Sequence, residues 1–151
     1  MPVNQAFAGR SYPPTPVFEI GREQIRSFAE AVAAGGPVHP AHLDPEAARA
    51  LGYPDVIAPP TMAVVAAHRA NTQYTDDPAA GIDYSRVVHG EQRFVHHRPI
   101  VAGDRLVTAL TIDSIRSAGG HSMIVLRSEI GTEAGEPVCT ATGTIVVRGG
   151  E

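Results

Sequence analysis

The stretch Thr61–Tyr74, TMAVVAAHRANTQY, is apolar over most of its length and turns polar only towards its end. Met62, Val65, Ala66 and Arg69 form one stripe at helical spacing, while Ala63, Val64 and Ala67 place apolar side chains on other faces. A helix that is apolar on several sides is one that its neighbours surround. The segment is therefore expected to be a buried central helix.

After the loop DDPAAGIDYS (76–85) the apolar period changes from helical to two. In RVVHGEQRFVHHRPI (86–100), Val88, Gly90, Gln92 and Phe94 fall on one face. In DRLVTALTIDSIRS (104–117), Leu106, Thr108, Leu110 and Ile112 do the same. SMIVLRSEIGT (122–132) and PVCTATGTIVVRG (137–149) complete the set, parted by the turn signals AGGH and EAGEP. Long strands joined by short turns make an antiparallel meander.

Ahead of the central helix, PPTPVFEI (13–20) offers a short extended segment. REQIRSFAEAVAA (22–34) then spaces Ile25, Phe28, Ala29 and Val32 as one apolar helix face, ended by Gly35, Gly36 and Pro37. A second, short helix begins at Asp44, a good N-cap, with Pro45 in the first turn and Gly52 at the C′ position. Helices first and a meander afterwards is an α+β order, with the sheet wrapped around the long helix. One domain over 1–151 is expected.

The composition excludes more than it selects. The apolar share is 43%, and no apolar run reaches the roughly 20 residues that span a bilayer. The opening MPVNQAFAGRSYPP lacks the basic-then-apolar pattern of a signal peptide, so a cytoplasmic location is expected and no membrane partner. Cys139 is the sole cysteine, which excludes an intrachain disulfide. The net charge is −4 and the 12 basic residues, all arginine, are dispersed, so nucleic acid is not an expected partner. HPAH (39–42) and the pair His96–His97 invite a metal reading. The first pair brackets a loop proline, however, and neighbours on a strand point to opposite faces, so no metal site is expected.

Three segments carry a resemblance: HPAHLDPEAARALGYPDVIAPPTM (39–62), HGEQRFVHHRPIVAGDRL (89–106) and AGEPVCTATGTIVVR (134–148). Together they resemble the MaoC-like hydratase/dehydratase family, whose fold is the hot dog. The last two look most like its non-catalytic members. These are the N-terminal half of the eukaryotic double-hot-dog hydratase and the stabilising subunit of two-chain 3-hydroxyacyl-ACP dehydratases.

The resemblance implies reversible hydration of a trans-2-enoyl thioester, carried by CoA or ACP, to an (R)-3-hydroxyacyl thioester, with no cofactor. Such chemistry needs an acid/base pair on one water and donors for the thioester oxygen. The family motif Asp-x-Asn-Pro-x-His falls here on Pro37, His39, Pro40 and His42, so that only the proline and the catalytic histidine are kept. The oxyanion glycine falls on Pro60, which has no N–H, leaving Thr61 as the donor at the helix start. His39 is the candidate substitute partner of His42. Met62 and Val65 are candidates for the acyl-binding surface as well as for the core. Arg93, Arg98 and Arg105 are candidates for the phosphates of the carrier.

Three readings follow from the altered motif. The chain is a subunit beside a catalytic hot dog partner, a self-sufficient homodimeric hydratase using His42, or a non-enzymatic acyl-thioester-binding protein.

Overall fold

The central helix, α3, spans Ala63–Thr75 and is entered through a 3-10 turn at Pro60–Met62. The protein is described here by a computed structural model covering residues 2–150, so the two terminal residues of the expected domain lie outside it. The buried positions of α3 are Ala63, Ala66, Ala67, Ala70 and Tyr74. Alanines lose no side-chain entropy there and let the sheet approach the helix backbone closely.

The sheet has five antiparallel strands: β1 (Phe18–Glu19), β2 (Val87–His96), β3 (Arg105–Ala118), β4 (His121–Thr132) and β5 (Pro137–Val147). Their order is β1-β3-β4-β5-β2, so the expected meander forms the centre and β2 crosses over to pair with β5. The sheet curls around α3, which contacts β3, β4 and β5. The other helices are α1 (Arg22–Ala33) and α2 (Pro45–Ala50). Asp44 caps α2 as expected, its carboxylate accepting from Glu46 N–H at 2.9 Å. Gly52 takes the left-handed conformation, φ +91°, that ends this helix.

Two expectations of face are corrected. Val32 is 55% exposed, because the last turn of α1 runs past the edge of the core that Ile25 and Ala29 reach. On β2 the register slips between His89 and Glu91, with Gly90 as the extra residue. A bulge reverses the alternation, so Val88 and Gly90 do not share a face with Gln92 and Phe94. A similar slip between Ile112 and Ser114 of β3 moves the buried series from Leu106, Thr108, Leu110 and Ile112 to Ile115.

The two edges of the sheet differ. Residues 9–20 cover the outer side of β3 from Arg105 to Ile112: Gly9 N–H donates to Ile112 O at 2.7 Å, Tyr12 N–H to Leu110 O at 2.9 Å and Thr15 N–H to Thr108 O at 3.0 Å. At the other edge β2 pairs with β5 on one side and has no strand partner on the other among the described residues. Val88 and Val95 are exposed on this strand.

Buried groups give two stability predictions. Tyr74 packs beside Phe7 and Tyr12, and its hydroxyl has no hydrogen-bond partner among the described residues. Tyr74→Phe removes a desolvated, unpaired group, so stability should be unchanged or rise by up to about 1 kcal/mol in a urea titration. Burial also pushes the Cys139 thiol from 9.0 up to about 11. The unfolded thiol then ionises first, and this contribution to stability is full below pH 9 and lost as pH rises through 11. Cys139→Ala should therefore flatten the loss of stability measured across that interval. At neutral pH the native thiol should react with a thiol reagent only upon unfolding.

Candidate active site

Around the start of α3 lies a cleft of about 590 Å³. Its walls come from the 3-10 turn Pro40–His42, from the chain at Leu51–Ala58, from Pro60, and from His96–Pro99 where β2 ends. The segment at Ile57 is tied on both sides. Ile57 N–H donates to Ala41 O at 3.0 Å, Ala58 N–H to Ile100 O at 2.8 Å, and Ala102 N–H to Val56 O at 3.0 Å.

This tie fixes His42. Its Nδ1 lies 2.6 Å from Ile57 O. A carbonyl only accepts, so Nδ1 carries a proton, and Nε2 is the nitrogen left to exchange one. His39 has the opposite tautomer. Its Nδ1 accepts from Ala41 N–H at 3.1 Å, so its proton lies on Nε2. The two rings stand edge to face with centroids 6.0 Å apart. His39 thus caps the turn that presents His42.

None of the residues lining the cleft is an aspartate or glutamate. Pro37, at the position of the motif aspartate, is exposed and not in the lining. His42 is oriented by a neutral carbonyl, which holds the ring but supplies no charge to an imidazolium.

At the helix start, Met62 N–H donates to Pro59 O at 3.0 Å, whereas Thr61 N–H has no acceptor among the described residues. His96 Nε2 lies 2.9 Å from Pro60 O and therefore carries the donated proton. Pro60 O and Thr61 N–H point in opposite directions across one planar trans peptide, so the Thr61 N–H is aimed away from His96, and Thr61 is not among the residues lining the cleft. In the sequence His96 stands out only as half of the pair His96–His97. The signal that it faces inward was present in its two-residue spacing from Phe94. His97, which alternation sends to the far face, also borders the cleft, because β2 ends at His96. Among the described residues no group of three His, Cys, Asp or Glu side chains is arranged to hold a metal.

The two candidates for the acyl-binding surface are placed elsewhere. Met62 is buried in the core with Ile25, Ile100 and Leu106, and Val65 packs against that cluster; neither borders the cleft. The phase of α3 explains this, since its open flank carries Val64, His68 and Asn71 instead. Arg98 is at the cleft, but all its N–H groups are used. Nε donates to Glu136, Nη1 to Pro99 O and Asp104, and Nη2 to Asp104 and Glu136, at 2.9–3.2 Å. No donor remains for a phosphate, so Arg98 is a brace and the expectation is corrected. Arg105 is engaged by Glu133 and Glu19. Arg93 is exposed on the opposite face of β2 from His96, with no ion-pair partner among the described residues.

Residues 6–141 match the family described as FAS1-like, dehydratase domain region. The chain belongs to this dehydratase family. Among its relatives is a UPF0336 protein of Saccharopolyspora erythraea, 56% identical over 149 residues that cover 99% of this chain and 94% of that one. Solved dehydratase structures share the fold. A C-terminally truncated HadBC (3R-hydroxyacyl-ACP dehydratase) complex from Mycobacterium tuberculosis matches with a TM-score of 0.79 and 34% identity, covering 93% of this chain and 96% of that one. A MaoC-like dehydratase matches with a TM-score of 0.85 and 34% identity, covering 96% of this chain but 43% of that one. The fold is the MaoC-like hot dog, a curled antiparallel sheet around a central helix.

Proposed function

We propose that the chain is a subunit of a 3-hydroxyacyl-thioester dehydratase, paired with a catalytic hot dog subunit and contributing to its acyl site. The observation that carries this reading is a cleft in which His42 keeps a free Nε2 but no carboxylate stands among the lining residues. A proton-transfer histidine without an acid beside it lacks the group that stabilises its charged form. The unpaired edge of β2 supports the pairing, since a partner's strand extends the sheet there. HadBC, similar in sequence and fold, is itself a complex.

In this reading the substrate is an acyl-CoA or acyl-ACP thioester. His42 and His39 border the reacting end, and Arg93 remains for a carrier phosphate.

The test is hydration of crotonyl-CoA by the purified chain, alone and co-expressed with a catalytic MaoC-like subunit. Low turnover alone and restored turnover in the pair is the expected result. Brisk turnover by the chain alone, abolished by His42→Ala, overturns the subunit reading in favour of a self-sufficient enzyme. Binding without turnover in either preparation overturns it in favour of a binding protein.

A further inference from the structure

Four side chains of β2 stand on the outer face of the sheet, away from α3. They are Val88, Glu91, Arg93 and Val95, which lie opposite Val146, Thr144, Thr142 and Thr140, alternate residues on one face of β5. The register slip at Gly90 is the reason that Val88, and not His89, continues the series. All four are exposed, the two valines at 43% and 42%. Neither Glu91 nor Arg93 has an ion-pair partner among the described residues.

The row therefore reads apolar, acid, base, apolar along an edge that has no strand partner among the described residues. Such a row is complementary to its own reverse. If two copies of β2 run antiparallel about a twofold axis at Gln92, Glu91 of each copy faces Arg93 of the other. Side chains opposite one another across a ladder share a face, so Gly90 is passed over on this side as well. Val95 of each copy then faces Val88 of the other. Neighbouring registers lack this match. An axis at Glu91 sets two glutamates against each other, and an axis at Arg93 sets two arginines. An axis between residues opposes outer side chains to inner ones.

We infer that β2 pairs with β2 of a second copy of this chain, antiparallel and in the register centred on Gln92. The contact is isologous, the same patch meeting itself. It rests on the edge alone and not on the chemistry of the cleft. The catalytic subunit proposed above takes the same edge, so the two assemblies exclude one another. In the self-pair Arg93 is held by Glu91 of the other copy, and it is released for a carrier phosphate when that copy leaves.

The test is sedimentation equilibrium of the purified chain over a series of concentrations. Wild type should be a dimer. Glu91→Arg sets an arginine against Arg93 on both sides of the axis, and Arg93→Glu sets a glutamate against Glu91. Each should weaken the dimer by about tenfold or more. The double variant Glu91→Arg/Arg93→Glu rebuilds both pairs with the signs exchanged and should return the affinity to near wild type. These side chains are exposed, so all three variants should keep the wild-type circular dichroism spectrum. A monomeric wild type overturns the self-pairing. A dimer indifferent to the single reversals, or one that the double reversal does not restore, overturns the register. Neither result bears on the turnover assay, so the thioester reading stands or falls separately.

Discussion

Crotonyl-CoA is expected to turn over about 10²–10⁴ times faster in the pair than with this chain alone, the range that positioned acid/base catalysis supplies. Hydration requires a group that takes a proton from water and gives one to carbon. His42 has Nε2 left for this exchange, and its ring is held by Ile57 O at 2.6 Å. What the cleft lacks is a carboxylate to stabilise the imidazolium or to share the water. His39 does not replace it, because its Nδ1 is occupied by Ala41 N–H and its other nitrogen carries a proton. Orientation survives in this site while the charge that would make it a strong base is missing. In the pair, His42→Ala should therefore cost less than about tenfold in kcat, whereas loss of the partner's acid should abolish turnover. Steady-state kinetics of the two variants decide this.

Asp104→Ala is expected to lower the unfolding free energy by about 3 kcal/mol, or roughly 6–12 °C in Tm. Arg98 is three-quarters buried and Asp104 more so, with side-chain exposures of 26% and 13%. Asp104 accepts from both Nη atoms of Arg98 and from Val101 N–H at 2.8 Å. The carboxylate is also the main cause that pushes the Arg98 pKa upward, so it stabilises the charged form. Removing it strands a guanidinium with Glu136 as its remaining anion. Adding Arg98→Met to Asp104→Ala should then cost little more, since the stranded charge is the larger part of the penalty. A denaturation cycle over the four proteins measures this, and a loss below about 1 kcal/mol for Asp104→Ala would show the brace to be dispensable.

What could be foreseen from sequence, and what could not, divides by range. The central helix was legible because alanine-rich, many-sided apolar character persists over three turns. Asp44 was legible as a cap because an N-cap is defined by its own neighbours. The meander was legible from its glycine turns, and Gly119, Gly120 and Gly135 all have the positive φ those turns require. By contrast, Arg98 lies 38 residues from Glu136, and His96 lies 36 from Pro60. Nothing local announces that either side chain will be consumed by such a partner. The bulge at Gly90 is illegible for a related reason: one extra residue leaves the composition unchanged while reversing every face before it. In the candidate site, sequence identified His42 and the loss at Pro37. It did not reveal that the ring would be oriented by a backbone carbonyl brought in from residue 57.

The sealing of β3 by residues 9–20 has a consequence for stoichiometry. A sheet with two open margins can polymerise, each added neighbour exposing a fresh one. Here most of one margin, from Arg105 to Ile112, is already occupied by the chain's own backbone, so a strand joined at β2 brings in a neighbour whose far margin is largely taken. Two sheets joined in this way terminate one another. Detaching residues 9–20 would remove the stop and turn a closed pair into the repeating unit of a fibre.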